Sequence, residues 1–120
     1  MDRRDLGLAG ERAAERELVR RGLAVVARNA RTRWGELDLV CSDGRGGYVF
    51  VEVKTRRAGS FVAAAEALAR RKLARLARLA EGWLALRGER DAPWRIVLAA
   101  LTASARGTRV ELVDLDRSAR

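Results

Sequence analysis

Hydrophobic positions change their period along the chain, and the changes mark its elements. Residues 2–21, rich in Ala, Glu, Arg and Leu, have the composition of a helix that ends near Gly22. LAVVARNA (23–30) reads as a strand, and ELDLVCS and YVFVEVK follow as two more on either side of a glycine-rich turn. From Val62 to about Leu86 the pattern is that of one long helix, stopped around Gly88. At about 100° per residue, Ala65, Ala69, Leu73, Leu76, Leu79, Ala80 and Trp83 share one stripe of it, the predicted core face. After Pro93, WRIVLAALT (94–102) and TRVELVDL (108–115) predict two final strands. The order αβββαββ describes an α/β protein with a mixed central sheet flanked by helices. No repeat, linker or low-complexity tract divides it, so residues 1–120 are expected to form one domain.

The hairpin of the second and third strands carries the informative irregularity. If Asp43 to Gly47 form its loop, Leu39 opposes Val51 and Cys41 opposes Val49, with Leu37 and Val53 continuing an entirely apolar face. The other face receives Val40 with Phe50, Asp38 with Glu52, and Glu36 with Lys54. A register shifted by one would scatter charge over both faces, so the hydrophobic pattern selects this one. It sets the Asp38 and Glu52 Cβ atoms roughly 4.5–5.5 Å apart, with Lys54 about 6.5–7 Å further along the same face. Two bare carboxylates at that range repel, so one keeps a proton or a cation sits between them. The bland reading is a cross-strand salt-bridge ladder, Glu36 with Lys54 and Asp38 with an arginine. VFVEV is more apolar than a half-exposed strand usually is, which favours a functional site.

Composition narrows the chemistry. There is no histidine and one cysteine, Cys41, which excludes an internal disulfide, Cys/His zinc sites and histidine-based nucleophile activation. Cys41 is expected to be a small buried hydrophobe. No apolar run approaches the ~18–20 residues of a membrane span, and residues 1–20 lack a signal-peptide core. A soluble, cytoplasmic protein without a membrane partner is the simplest expectation. The net charge of +9, from 25 basic and 16 acidic residues, points to a polyanionic partner, with nucleic acid ahead of an anionic membrane surface.

Oxygen ligands without His or Cys suit Mg2+ or Mn2+, and Mg2+ characteristically takes one or two carboxylates plus waters and substrate phosphate. Lys54 would then orient or deprotonate a water, or stabilise charge in the transition state. Arg71, Arg75 and Arg78 share a flank of the long helix, either a solvated face or a phosphate-contacting ridge. Lys72 sits among the apolar residues of that helix, so its stem snorkels outward or its ammonium meets an anion near the sheet.

Asp38, thirteen intervening residues, then Glu52-Val53-Lys54 resembles the PD-(D/E)xK nuclease signature. The fuller text, GLAGERAAERELVRRGLAVVARNARTRWGELDLV followed by YVFVEVKTR, closely resembles the YraN family (uncharacterised protein family 0102) from about Gly7 to Leu79. That family is similar in fold to Holliday-junction resolvases and other restriction-endonuclease-like enzymes. The resemblance implies a restriction-endonuclease-like (PD-(D/E)xK) fold and Mg2+-dependent cleavage of DNA, including branched substrates. It makes Asp38 and Glu52 metal ligands, Lys54 the catalytic lysine, and Glu11 a further member of the acidic cluster. Lys72 matches a helix lysine common in the family. Two departures are that the strand WRIVLA (94–99) has no acid where relatives often carry R-F-D-V-V, and that Leu73 replaces a frequent glutamine. Resolvase-like relatives work as dimers, so a homodimer belongs to the expectation. Arg28, Arg31, Arg33, Arg56 and Arg57 are the phosphate contacts expected near the site, with Lys72, Arg71, Arg75 and Arg78 completing the nucleic-acid-binding set. The alternative is a nuclease fold that grips nucleic acid without turnover.

Overall fold

A computed structural model describes residues 3–57 and 62–118, and the side chains of residues 7–56 and 62–118. Its elements are α1 (Arg3–Arg20), β1 (Ala24–Thr32), β2 (Gly35–Ser42), β3 (Tyr48–Arg57), α2 (Val62–Arg71), α3 (Leu73–Leu86), β4 (Trp94–Ser104) and β5 (Gly107–Arg117). The five strands form one sheet in chain order, β1-β2-β3-β4-β5. β3 and β4 run parallel, and the other neighbours are antiparallel. The parallel pair needs a crossover, which α2 and α3 supply.

The sheet lies between two helical layers. On one face Ala13, Ala14 and Leu18 of α1 pack on Leu39, Cys41, Val49, Val51, Val97, Ala99 and Leu101. On the other, Ala65, Ala69, Leu76, Leu79, Ala80, Trp83 and Leu84 cover Val40, Phe50, Ile96, Leu98 and Ala100. Because both faces of β4 are covered, Ile96–Leu101 is an unbroken buried run rather than an alternating one. Helix ends are closed by paired backbone bonds: Leu23 N–H to the Leu18 carbonyl and Gly22 N–H to Val19, with Gly22 at φ 91°. Glu89 and Gly88 close α3 onto Leu84 and Ala85 in the same way.

Two expectations need correction. The long helix predicted from Val62 to Leu86 is interrupted at Lys72, whose backbone (φ −94°, ψ 2°) leaves α-helical geometry. The Lys72 N–H bonds the Ala69 carbonyl, a tightened turn, and Leu76 N–H restarts the ladder on Lys72. Every residue there is a good helix former, so composition conceals the break; the element order is therefore αβββααββ. The second correction concerns Leu37, expected on the face of Leu39 and Cys41. It packs instead with Val40 and Phe50 under α2 and α3, while Val53 stays against the α1 side. Between Leu37 and Leu39 the alternation breaks, and the β1 residue bracketed there, Asn29, has φ 49°. Asn tolerates this left-handed conformation better than most residues.

Candidate active site

Hairpin register and the end of its ladder create the site. β2 and β3 pair through Ser42↔Tyr48, Cys41↔Val49, Val40↔Phe50 and Leu39↔Val51, the register that the apolar pattern predicts. Beyond Leu39↔Val51 a side chain replaces the backbone ladder. Asp38 Oδ2 accepts the Val53 N–H at 2.8 Å. This holds the Asp38 carboxylate against β3, next to Glu52.

Both carboxylates are half-buried. Burial is the main cause that pushes the Asp38 carboxyl above its ordinary range, with the Val53 hydrogen bond pulling the other way and Glu36 adding to the rise. Glu52 is raised first by burial and then by the Asp38 charge, against the pull of Lys72, Lys54 and Arg75. Glu11, on α1, is raised by burial and by Asp38, and a side-chain hydrogen bond with Asn29 opposes the rise. The same Asp38 charge therefore reaches Glu52 on β3 and Glu11 on α1.

Cations surround this end of the sheet. Lys72 Nζ lies 3.8 Å from Glu52 Oε1, so of its two alternatives the ammonium meets an anion beside the sheet. The break between α2 and α3 falls on the residue that makes this contact. Arg75 lies over the β1–β2 turn, its guanidinium 2.8 Å from where a Cβ on Gly35 would stand. Gly35 has φ 147° and no side chain, which leaves room for it. Lys54 and Arg56 follow Glu52 at alternate positions of β3, and both terminal nitrogens of Arg56 are buried without a hydrogen-bond partner among the described residues. α1 approaches β3 closely at Gly10, where a Cβ would stand 2.3 Å from Thr55 Oγ1.

The salt-bridge ladder does not form. Glu36 pairs with Arg31, at 3.7 Å, rather than with Lys54, and Asp38 binds backbone. Among the described residues no three His, Cys, Asp or Glu side chains converge as a ready-made metal cage. What converges is a carboxylate pair from β2 and β3, with Glu11 at the α1 border.

The remaining basic residues divide by position. Arg28 is engaged by Glu15 of α1 through two hydrogen bonds. Arg33 covers the Trp34 ring at 5.1 Å from its centroid. Arg71, Arg75 and Arg78 are exposed. The Arg57 side chain lies outside the described residues. Cys41 is fully buried and its thiol is pushed up to about 11 by that burial, as expected of an inert core cysteine. Sequence reasoning missed Asn29, because an asparagine within a strand gives no local sign that it faces a helix carboxylate. It also gave Trp34 no role.

The profile of the uncharacterised protein family UPF0102 matches residues 10–115, from α1 into β5. The chain belongs to that family. A UPF0102 protein of Corynebacterium efficiens is 45% identical over 96 residues, covering 80% of this chain and 78% of that one. A UPF0102 protein of Beutenbergia cavernae is 50% identical over 107 residues, covering 88% and 90%. Among solved structures the chain is similar to Pyrococcus furiosus SfsA in complex with Ca2+, at 19% identity and a TM-score of 0.41. That match covers 97% of this chain and 64% of that one. The UPF0102 match reaches well beyond Leu79, where the recognisable motif text weakens, and takes in β4 and most of β5. Glu11, Asn29, Asp38, Glu52, Lys54 and Lys72 all fall within it. No helix among the described residues is long and apolar enough to cross a membrane.

Proposed function

We propose that this chain is a Mg2+- or Mn2+-dependent endonuclease of the restriction-endonuclease-like (PD-(D/E)xK) class that hydrolyses phosphodiester bonds in DNA, branched DNA included. The observation that carries this reading is the convergence, where the β2–β3 ladder ends, of two half-buried carboxylates with Lys54, Lys72 and Arg75 around them. The donor set suits a hard divalent cation. One Asp38 oxygen is committed to Val53, the other is left for a ligand, and Glu52 adds a second carboxylate. Burial and mutual repulsion mean that a cation shared by the pair relieves a real cost. Such a cation supplies Lewis-acid activation of water and neutralises charge at a phosphate.

The chain's own residues supply the rest. Asp38 is oriented by the Val53 N–H and cannot rotate freely. Lys72 steadies Glu52 from the helix break. Lys54 directs its ammonium at the attacking water or at charge developing on the phosphate. Glu11, steadied by Asn29, extends the acidic cluster toward α1. Arg75, with the exposed Arg31, Arg33, Arg71 and Arg78, gives the phosphate backbone an electropositive approach. Two copies in a homodimer would pair two cuts. The direct test is cleavage of linear, nicked, flapped and four-way DNA with Mn2+. Wild type should cut at least one substrate, and Glu52→Gln and Lys54→Ala should not, while both remain folded by circular dichroism. Equal cutting by wild type and Glu52→Gln would sink the reading.

One observation favours a second reading, nucleic-acid binding without turnover: Lys72 already gives Glu52 an internal counter-cation. Titration with Mn2+ separates the two. The enzyme shows saturable metal binding coupled to cleavage, whereas the binding module shows salt-sensitive DNA affinity indifferent to metal.

A further inference from the structure

Trp34 stands apart from the other tryptophans. Trp83 is buried in the core, whereas Trp34, at the tip of the β1–β2 hairpin, is 45% exposed. It is held in place despite that exposure. Its ring edge rests on α3 at Gly82, where a Cβ would stand 2.9 Å from Cζ3, so the glycine makes the seat that the ring occupies. The turn behind it is tied by Thr32, whose hydroxyl donates to the Gly35 carbonyl at 3.0 Å and accepts the Trp34 N–H at 3.2 Å. The next residue, Gly35, carries Arg75 against it, and Arg75 is one of the cations that act on Glu52. An aromatic ring on a rigid support, with Arg33 over it, thus stands one residue from the glycine that Arg75 packs against.

We infer that Trp34 is a stacking platform for an unpaired nucleobase next to the scissile phosphate, which makes single-stranded, gapped or branched DNA the preferred substrate class. This rests on the reading of the Asp38/Glu52 end as a nucleic-acid site. An aromatic face flanked by arginines is the pairing that single-strand binding uses: the ring takes the base and the guanidinium takes the phosphate. The Arg33 guanidinium occupies the ring in the free protein. A cation over an exposed ring is a weaker partner than a stacked base, so the base takes its place and Arg33 is released to the backbone. Bases within a continuous duplex are stacked on each other and cannot make this contact, so it discriminates between substrates.

The experiment is binding in the Glu52→Gln background, where cleavage does not interfere, to a 12-nucleotide single strand, a gapped duplex and a continuous duplex. Trp34→Leu should bind the single strand and the gap about tenfold more weakly, the scale of losing one stacked base. Continuous-duplex affinity should stay unchanged, and Trp34→Phe should retain most of the single-strand affinity. Because Trp34→Leu removes packing on Gly82, quenching of intrinsic fluorescence gives a second readout. The single strand should quench the Glu52→Gln protein more than it quenches the same protein carrying Trp34→Phe. Equal affinities of the Trp34→Leu and Trp34 proteins for the gapped duplex, or equal losses on all three DNAs, would overturn the platform. So would a change of sedimentation from dimer to monomer in Trp34→Leu, since the ring would then serve a second copy. Absence of cleavage by the protein with Glu52 intact, with stacking retained, would count against hydrolysis alone.

Discussion

The two ends of the β2–β3 hairpin place an aspartate in the same local role with opposite electrostatic outcomes. At the loop end, Asp43 Oδ1 accepts the Arg45 N–H at 2.7 Å and the Gly47 N–H at 3.0 Å. Its carboxyl is pulled below the ordinary range chiefly by the Arg45 bond, because solvent keeps the charge inexpensive. At the open end Asp38 also accepts a backbone N–H, from Val53, yet its carboxyl is pushed up. The hydrogen bond is of similar length; burial and the neighbouring acids decide the sign. A turn aspartate is thus a structural fixture, and a half-buried one beside a second carboxylate is a group that gains from a cation.

The largest effect that sharpens this contrast is on cleavage. Asp38→Ala is expected to lower DNA hydrolysis at least about 100-fold, the scale for removing one charged catalytic contact, whereas Asp43→Ala leaves the rate within about a factor of two once folding is matched. Comparable losses in both variants, measured by single-turnover kinetics, would erase the distinction.

The packing beneath the site comes next. Gly10→Ala drives a Cβ onto Thr55 Oγ1 and should destabilise the fold by roughly 1–3 kcal/mol, the usual range for overpacking. Thr55→Ala in the same chain removes the obstructing oxygen and should recover most of it. Urea denaturation of the single and double variants reads both values, and additivity would show that the two residues do not meet.

Smaller, and opposite in sign at the two ends, are the stability changes. Asp43→Ala loses two hydrogen bonds and should cost about 1 kcal/mol. Glu52→Gln, by contrast, should raise the thermal midpoint at pH 7 by a few degrees, because it removes one of two charges that burial disfavours. The pH dependence follows from the direction of the shifts. A carboxyl raised in the folded state binds more protons folded than unfolded, so its charge destabilises the fold as pH climbs from the ordinary carboxylate range through the raised one. The advantage of Glu52→Gln should therefore shrink on acidification to pH 4, in metal-free buffer. Thermal melts at the two pH values check it, and saturating Mn2+ should narrow the pH 7 gap from the other side by stabilising the protein that keeps Glu52.

How much of this could be read from the chain depended on whether the signal was local. The hairpin register was legible because the apolar alternation of Leu39 and Cys41 against Val49 and Val51 admits one pairing, and a slip would expose it. The stripe of α2 and α3 was legible because helical period survives the break at Lys72. The break itself was not, since Ala, Arg, Lys and Leu all favour helix and the turn serves a contact with Glu52 on a distant strand. Leu37 changed faces for a similar reason: the ladder ends where Asp38 turns to bind Val53.

By itself, then, the sequence determined the strands and the helical stripe, the β2–β3 register from Leu39 to Ser42, the inert Cys41, and membership of a family through its motif text. Periodicity and residue type encode those directly. Only the tertiary structure decided that Glu11 and Asn29 meet the site from α1 and β1, that Lys72 reaches Glu52, that Trp34 is seated on Gly82, and that Arg75 packs on Gly35. These depend on where the two helical layers close over the sheet, and no local pattern of residues carries that distance.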